Sequence, residues 1–204
     1  MKNYNITLSV NYSSKVNLDY GIMNGNNIIV FIKVGLTGSI YGYKNKYLRI
    51  ANNLNEKFGC TIFCVSNPID AGSSIYHGIK MIENYCIARK FCDYKIYFIG
   101  HSNGAMQGLY ECSKFKKIKK CLLINPVLNE LPRKIIKAFK DFSGEKMFVV
   151  CGSKDPCFNL FKLYSEHEDD YNHLKFVAYL NADHNFTGCM EEFIKLPEKY
   201  LFQN

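Results

Sequence analysis

The sequence predicts an α/β protein built around a mostly parallel sheet of about eight strands, with helices on both faces. Short, almost continuous apolar runs alternate along the chain with amphipathic stretches of helical spacing. Strands of that composition are typical of parallel sheets that are buried on both faces. No internal repeat, low-complexity tract or linker rich in Pro, Gly and Ser interrupts the 204 residues. We therefore expect one domain covering residues 1–204.

The first expected element is an N-terminal β-hairpin. Residues 5–10 and 15–22 have strand character, and the Asn-Tyr-Ser-Ser segment between them favours a turn. Strands and helices then alternate regularly to the end of the chain. Strands are predicted over residues 28–34, 61–65, 95–99, 121–124, 147–151 and 174–180. Helices are predicted over residues 43–58, 75–91, 104–112, 132–142, 158–167 and 190–201, with the last one broken at Pro197.

The composition excludes several classes of protein. The chain is 48% hydrophobic and 22% charged, which is enough material for a core and unlike a disordered chain. The net charge of +8 comes mainly from lysine, because only three of the 26 basic residues are arginines. Nucleic-acid readers depend heavily on arginine, so we expect no nucleic-acid partner. The densest basic run, over residues 114–120, is predicted to be a solvated surface turn.

The cysteines point to a reducing compartment. The chain has nine, scattered singly through apolar segments, and no Cys-x-x-Cys pair is present to build a zinc ribbon or a redox motif. No apolar run is long enough to span a membrane, and the N-terminus lacks the pattern of a secretory leader. We expect a cytoplasmic protein. The acidic segment between His167 and His173 matches no metal-ligand spacing, and no metal or cofactor is expected.

One motif suggests chemistry. The predicted strand 95–99 runs directly into Gly100-His101-Ser102-Asn103-Gly104 and then into a predicted helix. This is a G-x-S-x-G sequence in a strand–turn–helix context, where a sharp turn exposes the serine hydroxyl above the sheet. Ligands of open α/β sheets bind at the carboxyl ends of the strands, which is where Ser102 would lie.

These features resemble the α/β-hydrolase superfamily over nearly the whole chain, in particular its small serine esterases and thioesterases without a large lid. In that family the nucleophile follows the fifth strand, as Ser102 would here, and the order along the chain is Ser, acid, His. The acid is expected after a late strand, where Gly152-Ser153-Lys154-Asp155-Pro156 stands. Asp155 is the expected acid. The same residues would also form an Asp-Pro turn without catalysis, and Glu130 is an alternative acid after the preceding strand.

The family resemblance places the general base after the last strand. The segment Asn181-Ala182-Asp183-His184-Asn185-Phe186 follows the predicted strand 174–180, and His184 is the expected base. Asp183 is not expected to orient it, because consecutive side chains diverge. His101, inside the motif, is expected to point away from the nucleophile.

The resemblance also implies an oxyanion hole made of two main-chain N–H groups. Asn103, directly after the nucleophile, would supply one, and Leu36 in the Gly35-Leu36-Thr37-Gly38-Ser39 loop would supply the other. Many family members carry histidine at the position of Val34, so the hydrogen bonding of this loop must differ here. A substrate pocket is expected to involve three further residues, for each of which core packing or plain exposure is an equal alternative: Ile40, Tyr41 and Met106.

The expected activity is hydrolysis of a carboxylic ester or thioester through an acyl-enzyme on Ser102. Only a short segment separates the predicted strand 121–124 from the helix 132–142, so no large lid is expected, and an open site suits a small or carrier-bound acyl substrate. Three alternatives keep the same fold: a peptidase, an acyltransferase, and a binding or regulatory protein without turnover. The oligomeric state stays open.

Overall fold

The computed structural model describes residues 1–128 and 132–203, and its centre is one sheet of eight strands in the order β1-β2-β4-β3-β5-β6-β7-β8. The strands are β1 Ile6–Ser13, β2 Val16–Met23, β3 Asn26–Lys33, β4 Cys60–Val65, β5 Lys95–His101, β6 Ile118–Ile124, β7 Lys146–Gly152 and β8 Leu174–Tyr179.

The N-terminal hairpin forms one edge of this sheet. Strand β1 pairs antiparallel with β2, and β2 pairs antiparallel with β4. From β4 to β8 every pair of neighbours is parallel. The carboxyl ends of β3 to β8 therefore meet at one edge of the sheet, and the predicted fold class is confirmed.

Helices cover both faces of the sheet because each has one apolar side. They are α1 Lys46–Phe58, α2 Ile75–Ala88, α3 Asn103–Glu111, α4 Pro132–Asp141, α5 Phe158–Ser165 and α6 Met190–Pro197. Helices α1 and α6 bury Leu48 and Phe193 in the core on one face. Helices α2 to α5 bury residues such as Ile79, Leu109 and Phe139 in the core on the other. A parallel sheet needs this cover on both sides, since its strands are apolar on both faces.

Several predicted boundaries differ from those in the structure. The first helix begins at Lys46 instead of residue 43, because Lys44 and Asn45 have left-handed backbone angles, φ 50° and 58°. Strand β6 begins at Ile118, which is buried, so the basic run over 114–120 ends inside the sheet and is a surface turn only in its first half. Pro197 ends α6 but not the helical path: a π-helical turn, Glu198–Phe202, follows directly.

One connection bears on access to the carboxyl edge of the sheet. Residues 125–131 join β6 to α4, and this connection is too short to hold a large lid. Within the described residues, no helix has both the length and the apolar character to cross a membrane.

Candidate active site

Ser102 lies on the sharp turn between β5 and α3. Its backbone angles, φ 56° and ψ −122°, fall in a region that residues with a side chain rarely adopt. The turn is held on both sides: Ser102 N–H donates to Ile124 O at 2.9 Å, and Ser102 O accepts from the N–H groups of Ala105 and Met106 at 3.0 Å. The strained position lifts the hydroxyl above the carboxyl edge of the sheet, as the G-x-S-x-G sequence predicts.

The two glycines of the motif lie so close to neighbouring main-chain atoms that a side chain would not fit. A Cβ on Gly100 would lie 2.5 Å from Ala105 Cα, which belongs to the first turn of α3. A Cβ on Gly104 would lie 2.4 Å from Lys33 O, at the end of β3. Side chains at these positions would push α3 away from the sheet, so the glycines permit the close approach that fixes Ser102.

His184 and Asp155 complete a hydrogen-bonded chain with Ser102. His184 Nε2 lies 2.8 Å from Ser102 Oγ, and His184 Nδ1 lies 2.5 Å from Asp155 Oδ2. A carboxylate accepts hydrogen bonds, so Nδ1 carries the proton and Nε2 is free to accept the serine O–H. The Asp155 side chain is fully buried, whereas His184 is about one-third exposed. The structure thus brings together the three residues that the sequence places after β5, β7 and β8.

The loops that carry Asp155 and His184 are bonded to each other. Lys154 N–H donates to Ala182 O at 2.9 Å, and Asn181 N–H donates to Ser153 Oγ at 2.9 Å. The second carboxylate oxygen of Asp155 accepts from Cys157 N–H at 2.7 Å. These contacts fix the carboxylate against the imidazole before any ligand arrives. Asp183 lies beside His184 in sequence, but its carboxylate accepts from the N–H groups of later residues and not from the imidazole.

Asn125 is a site residue that sequence reasoning missed. It is fully buried directly after β6, with φ 45°. Its Nδ2 donates to His184 O at 2.8 Å and to Asp183 O at 3.1 Å, while its Oδ1 accepts from Gly152 N–H at 2.8 Å. One amide therefore links the end of β7 to the histidine loop. The only sequence signal is an Asn-Pro pair at the end of a predicted strand, which is equally typical of an ordinary turn.

His101 does not simply point away from the nucleophile, as the sequence had suggested. Its Nε2–H donates to His184 O at 3.1 Å, and its Nδ1 accepts from Tyr47 O–H at 2.9 Å. The side chain is buried, and burial together with the nearby Lys46 lowers the pKa of His101 to about 3. His101 is therefore a neutral imidazole that holds the main chain of His184 through this hydrogen bond.

The loop after β3 packs directly on Ser102. A Cβ on Gly35 would lie 3.3 Å from Ser102 Cβ, and the next residue, Leu36, lines the same cavity as Ser102. Within residues 1–128 and 132–203, the N–H groups of Leu36 and Asn103 donate to no protein acceptor. Two unused N–H donors beside a half-buried serine that lines a cavity are the elements of an oxyanion hole.

Many α/β-hydrolases carry histidine at the start of this loop, where this chain has a buried valine, Val34. Here the side chain and main chain of Asn67 hold the loop in place. Asn67 Nδ2 donates to Val34 O at 3.1 Å and to Asn103 Oδ1 at 3.0 Å. Its main chain bonds the loop as well: Thr37 N–H donates to Asn67 O at 2.7 Å, and Asn67 N–H donates to Gly38 O at 3.1 Å. Asn67 thus ties the loop of Leu36 to the residue after the nucleophile.

A cavity of about 270 Å³ opens at Ser102 and His184. Its walls come from the loop after β3, the first turn of α1, the nucleophile turn and the histidine loop. The lining residues besides the glycines are Leu36, Tyr43, Lys46, Tyr47, His101, Ser102, His184 and Asn185. Sequence reasoning did not find Tyr43, Lys46 or Tyr47, because helical spacing alone does not show which residues of a first turn face a site.

The three predicted pocket residues lie elsewhere. Ile40 is buried in the core beneath the loop, where its carbonyl accepts from Tyr4 O–H at 2.8 Å. Tyr41 packs against the ring of Tyr4 at 5.8 Å between centroids. Met106 follows the nucleophile by one helical turn, which directs it to a separate groove that also contacts Lys134 and Ala138 of α4. None of the three lines the cavity at Ser102.

Other candidate ligands have ordinary contacts. Among the described residues, no group of three His, Cys, Asp or Glu side chains could hold a metal ion. His167 Nδ1 pairs with Asp170 Oδ2 at 2.8 Å, and His173 Nε2–H donates to Phe139 O at 2.8 Å. Glu130, the alternative acid, lies outside the described residues.

Comparisons with known proteins identify the fold. No protein-family model matches the chain, and no curated protein sequence matches it. Solved structures match along nearly the full length. Est1E from Butyrivibrio proteoclasticus has a TM-score of 0.69 at 12% identity, covering 97% of this chain and 98% of its own. The Pyrococcus furiosus esterase PF2001 has a TM-score of 0.71 at 15% identity, and the match covers 97% of this chain and 90% of the esterase.

A third solved structure matches in one more respect. XC6422 from Xanthomonas campestris, described as an α/β serine hydrolase without a lid, has a TM-score of 0.68 at 14% identity and covers 97% of this chain and 94% of its own. The chain therefore has the α/β-hydrolase fold, in a form with only a short connection where a large lid would be inserted. At such low identity the likeness concerns the fold, and the chemistry must be argued from the residues themselves.

Proposed function

We propose that this protein is a serine hydrolase that cleaves small carboxylic esters through a covalent acyl-enzyme on Ser102. The observation that carries the proposal is the continuous hydrogen-bonded chain from Ser102 Oγ through both ring nitrogens of His184 to the buried carboxylate of Asp155. A surface serine has no need of this arrangement. A serine on a strained turn, bonded to an imidazole whose other nitrogen is bonded to a carboxylate, is an activated nucleophile.

In the acylation step, Ser102 Oγ attacks the ester carbonyl carbon while its proton passes to His184 Nε2. The carbonyl oxygen becomes an oxyanion that accepts hydrogen bonds from the N–H groups of Leu36 and Asn103. Asp155 keeps the proton on Nδ1 and stabilises the imidazolium. When the tetrahedral intermediate collapses, the bond to the alkoxide breaks, and His184 Nε2–H protonates the departing alcohol.

In the deacylation step, water takes the place of the alcohol. His184 Nε2 removes a proton from the water as its oxygen attacks the acyl carbon, and the same two N–H groups receive the second oxyanion. Collapse breaks the bond to Ser102 Oγ, which regains its proton from His184. The carboxylic acid leaves and the starting state is restored, so no cofactor enters the proposal.

The shape of the site favours small substrates. The cavity of about 270 Å³ is slightly smaller than most ligand pockets, which range over roughly 300–1,000 Å³. With no large lid to cover an acyl chain, the site suits short esters better than bulk lipid. Thioesters fit the same chemistry. We also expect the protein to act in a reducing compartment such as the cytoplasm, because its nine cysteines are free thiols and most are buried.

Labelling with a fluorophosphonate tests the proposal directly. We expect the intact mass of the wild type to rise by one adduct per chain. Ser102→Ala should abolish the adduct and His184→Ala should slow its formation. Ser14→Ala is the matched control, because Ser14 is exposed in the turn between β1 and β2, outside the site, and it should label like the wild type. Folded wild type that takes up no label would contradict the hydrolase function and favour a binding protein of the same fold. Unlabelled wild type would then be assayed on p-nitrophenyl esters, acyl thioesters and peptides.

A further inference from the structure

Two lysines are buried among the described residues, Lys33 and Lys46, and they differ in how their charge is satisfied. The ammonium of Lys33, at the end of β3, donates to Ser66 O at 2.8 Å and to Ser74 Oγ at 2.6 Å. These bonds link β3 to the segments after β4, which explains Lys33 as a structural residue. Lys46 has no such explanation.

Lys46 is only 4% exposed, yet its ammonium makes no hydrogen bond and no ion pair with any residue that the structure describes. Its contacts are aromatic: the nitrogen lies 4.7 Å from the centroid of the Phe193 ring and 5.2 Å from that of Tyr47. Cation–π contacts of this kind compensate part of the lost hydration. The nitrogen keeps some contact with solvent, since it is not among the fully buried polar atoms that lack a hydrogen-bond partner. Its remaining access to solvent is through the cavity that it lines.

The position of Lys46 is unfavourable for local structure as well. It is the first residue of α1, where the helix dipole is positive, and the first turn contains no acidic residue to offset it. The carboxylate of Asp183 attracts the ammonium but lies beyond ion-pair distance. Burial lowers the pKa of Lys46 to about 8. A solvated or apolar residue would suit the fold better, so the reason for a lysine has to be sought in what enters the cavity.

The cavity offers positive charge beside the nucleophile. Ser102, His184 and Lys46 all line it, and no Asp or Glu of the described chain is among the lining residues. A carboxylate brought into this space would find an ammonium that has shed most of its water and has no competing anion in contact, which is where a charge-assisted hydrogen bond is strongest. Neutral ligands would leave that charge without a partner.

Resting on the hydrolase function proposed above, we propose that Lys46 is the anion-binding residue of the substrate cavity and that the preferred substrates are small esters carrying a carboxylate. Lys46 binds this carboxylate while Ser102 attacks the ester carbonyl of the same molecule. Lys46 takes no part in bond breaking, and it selects substrates by charge.

Matched ester pairs test this assignment. In the first pair the charge is on the acyl side: the p-nitrophenyl monoester of glutaric acid, against the same ester with the free carboxylate replaced by a primary amide. In the second pair it is on the alcohol side: the butyrate ester of p-hydroxybenzoic acid, against its benzamide analogue. Each pair differs in charge and hardly in shape. We expect the wild type to prefer the charged member in at least one pair, measured as a ratio of kcat/KM values at low ionic strength.

Variants of two lysines decide whether Lys46 is the cause. Lys46→Met keeps the unbranched apolar stem and should lower the charged-to-neutral ratio about tenfold, mainly through KM. Lys46→Arg should retain much of the preference. Lys44→Met is the control, because Lys44 is exposed two residues away and its loss changes the net charge equally; its ratio should equal that of the wild type.

The outcomes separate the two proposals. A charged-to-neutral ratio that Lys46→Met leaves unchanged in both pairs, in enzyme that still labels at Ser102, overturns the role of Lys46 and leaves the hydrolase function intact. A ratio that Lys44→Met lowers as much as Lys46→Met also overturns it, since a general surface field would then be responsible. Wild type that neither labels nor hydrolyses any of the four esters overturns both proposals.

Discussion

The side-chain amide of Asn125 donates a 2.8 Å hydrogen bond to the main-chain carbonyl of His184, and its oxygen accepts a 2.8 Å bond from Gly152 N–H. The imidazole of His184 is thus located by two routes. Asp155 bonds its ring, and Asn125 holds its main chain at a fixed distance from the end of β7, where the loop of Asp155 begins. Because Asn125 is fully buried, these bonds have no water to replace them.

Asn125 is therefore a positioning residue, and its replacement should affect turnover more than substrate binding. We expect Asn125→Ala to lower kcat about 10- to 100-fold with a smaller change in KM, because displacement of a catalytic group by a fraction of an ångström is costly. It should also lower the free energy of unfolding by about 1–3 kcal/mol, since Gly152 N–H loses its buried acceptor and His184 O keeps only the bond from His101. Steady-state kinetics on a short p-nitrophenyl ester and urea unfolding measure the two effects.

Asn185→Ala is a useful comparison, because Asn185 follows His184 and lines the cavity but is exposed and makes no bond to Gly152. A lining side chain acts on substrate binding, so we expect any change in KM, with kcat within a few-fold of the wild type. Equal losses of kcat and of stability in both variants would mean that the histidine loop is merely sensitive to change and that Asn125 has no special role.

Asn67 should act on the oxyanion hole in a similar way. Asn67→Asp keeps the shape but removes the Nδ2 donor that reaches both Val34 O and Asn103 Oδ1. It would place a carboxylate against two acceptor oxygens, so we expect kcat/KM to fall by at least about tenfold. A trifluoromethyl ketone forms an adduct with Ser102 that carries an oxyanion, so its affinity should fall by about the same factor as kcat/KM. Ketone affinity that stays constant while kcat/KM falls would contradict this placement of Asn67.

The glycines of the nucleophile turn give a purely steric prediction. A Cβ on Gly104 would stand 2.4 Å from Lys33 O and 2.5 Å from Val34 O, both main-chain atoms that cannot rotate away. Gly104→Ala should destabilise the protein by about 3 kcal/mol and remove labelling of Ser102, because α3 has to move. Gly188→Ala is the matched control: nothing lies within 4 Å of its Cβ position, and its unfolding midpoint in urea should equal that of the wild type.

Much of the site could be predicted because parallel strands impose an order on it. The carboxyl ends of β5, β7 and β8 meet at one edge of the sheet, so residues that follow predicted strands become neighbours even when far apart in sequence. The resemblance to α/β-hydrolases, with its order Ser, acid, His along the chain, then selected Ser102, Asp155 and His184 among the residues that follow strands. Their catalytic roles stay predictions until labelling and kinetics test them.

The residues that support and line the site could not be predicted in the same way. Asn67 and Asn125 act through side-chain amides that reach across loops, and an Asn-Pro turn in sequence does not show where an amide points. Ile40 is buried in a core to which Tyr4, at the start of the hairpin, also belongs, and Tyr4 O–H donates to its carbonyl. Lysine is normally solvated, and Lys46 is buried against Tyr47 and against Phe193 of α6, which comes from the other end of the chain.

Lys46 also leads to a prediction about stability and pH. Its pKa is about 8 in the folded protein against an ordinary value of 10.5, so the unfolded chain holds this proton more tightly than the folded one. The contribution of Lys46 to the free energy of unfolding therefore rises with pH between about pH 8 and 10.5, and the destabilising effect of its charge is complete below pH 8. At pH 7 we expect Lys46→Met to stabilise the protein by about 1–3 kcal/mol, after allowance for the lost aromatic contacts. Urea unfolding at pH 7 and pH 10 measures the difference, which should shrink at the higher pH.

The same titration should appear in substrate selection. Among Lys46 and its titratable neighbours Asp183, His101 and Tyr47, we expect only Lys46 to change its charge near pH 8. Hydrogen bonds from Thr187 lower the pKa of Asp183, the pKa of His101 is about 3, and burial raises the pKa of Tyr47 well above its usual value. Any effect of pH that changes the reaction of both esters of a pair equally cancels in their ratio. We expect the charged-to-neutral ratio of kcat/KM to be highest below pH 8 and to fall as the pH rises above it, as Lys46 loses its proton. The ratio should be flat with pH in Lys46→Met, and a fall of equal size in that variant would assign the titration to another group.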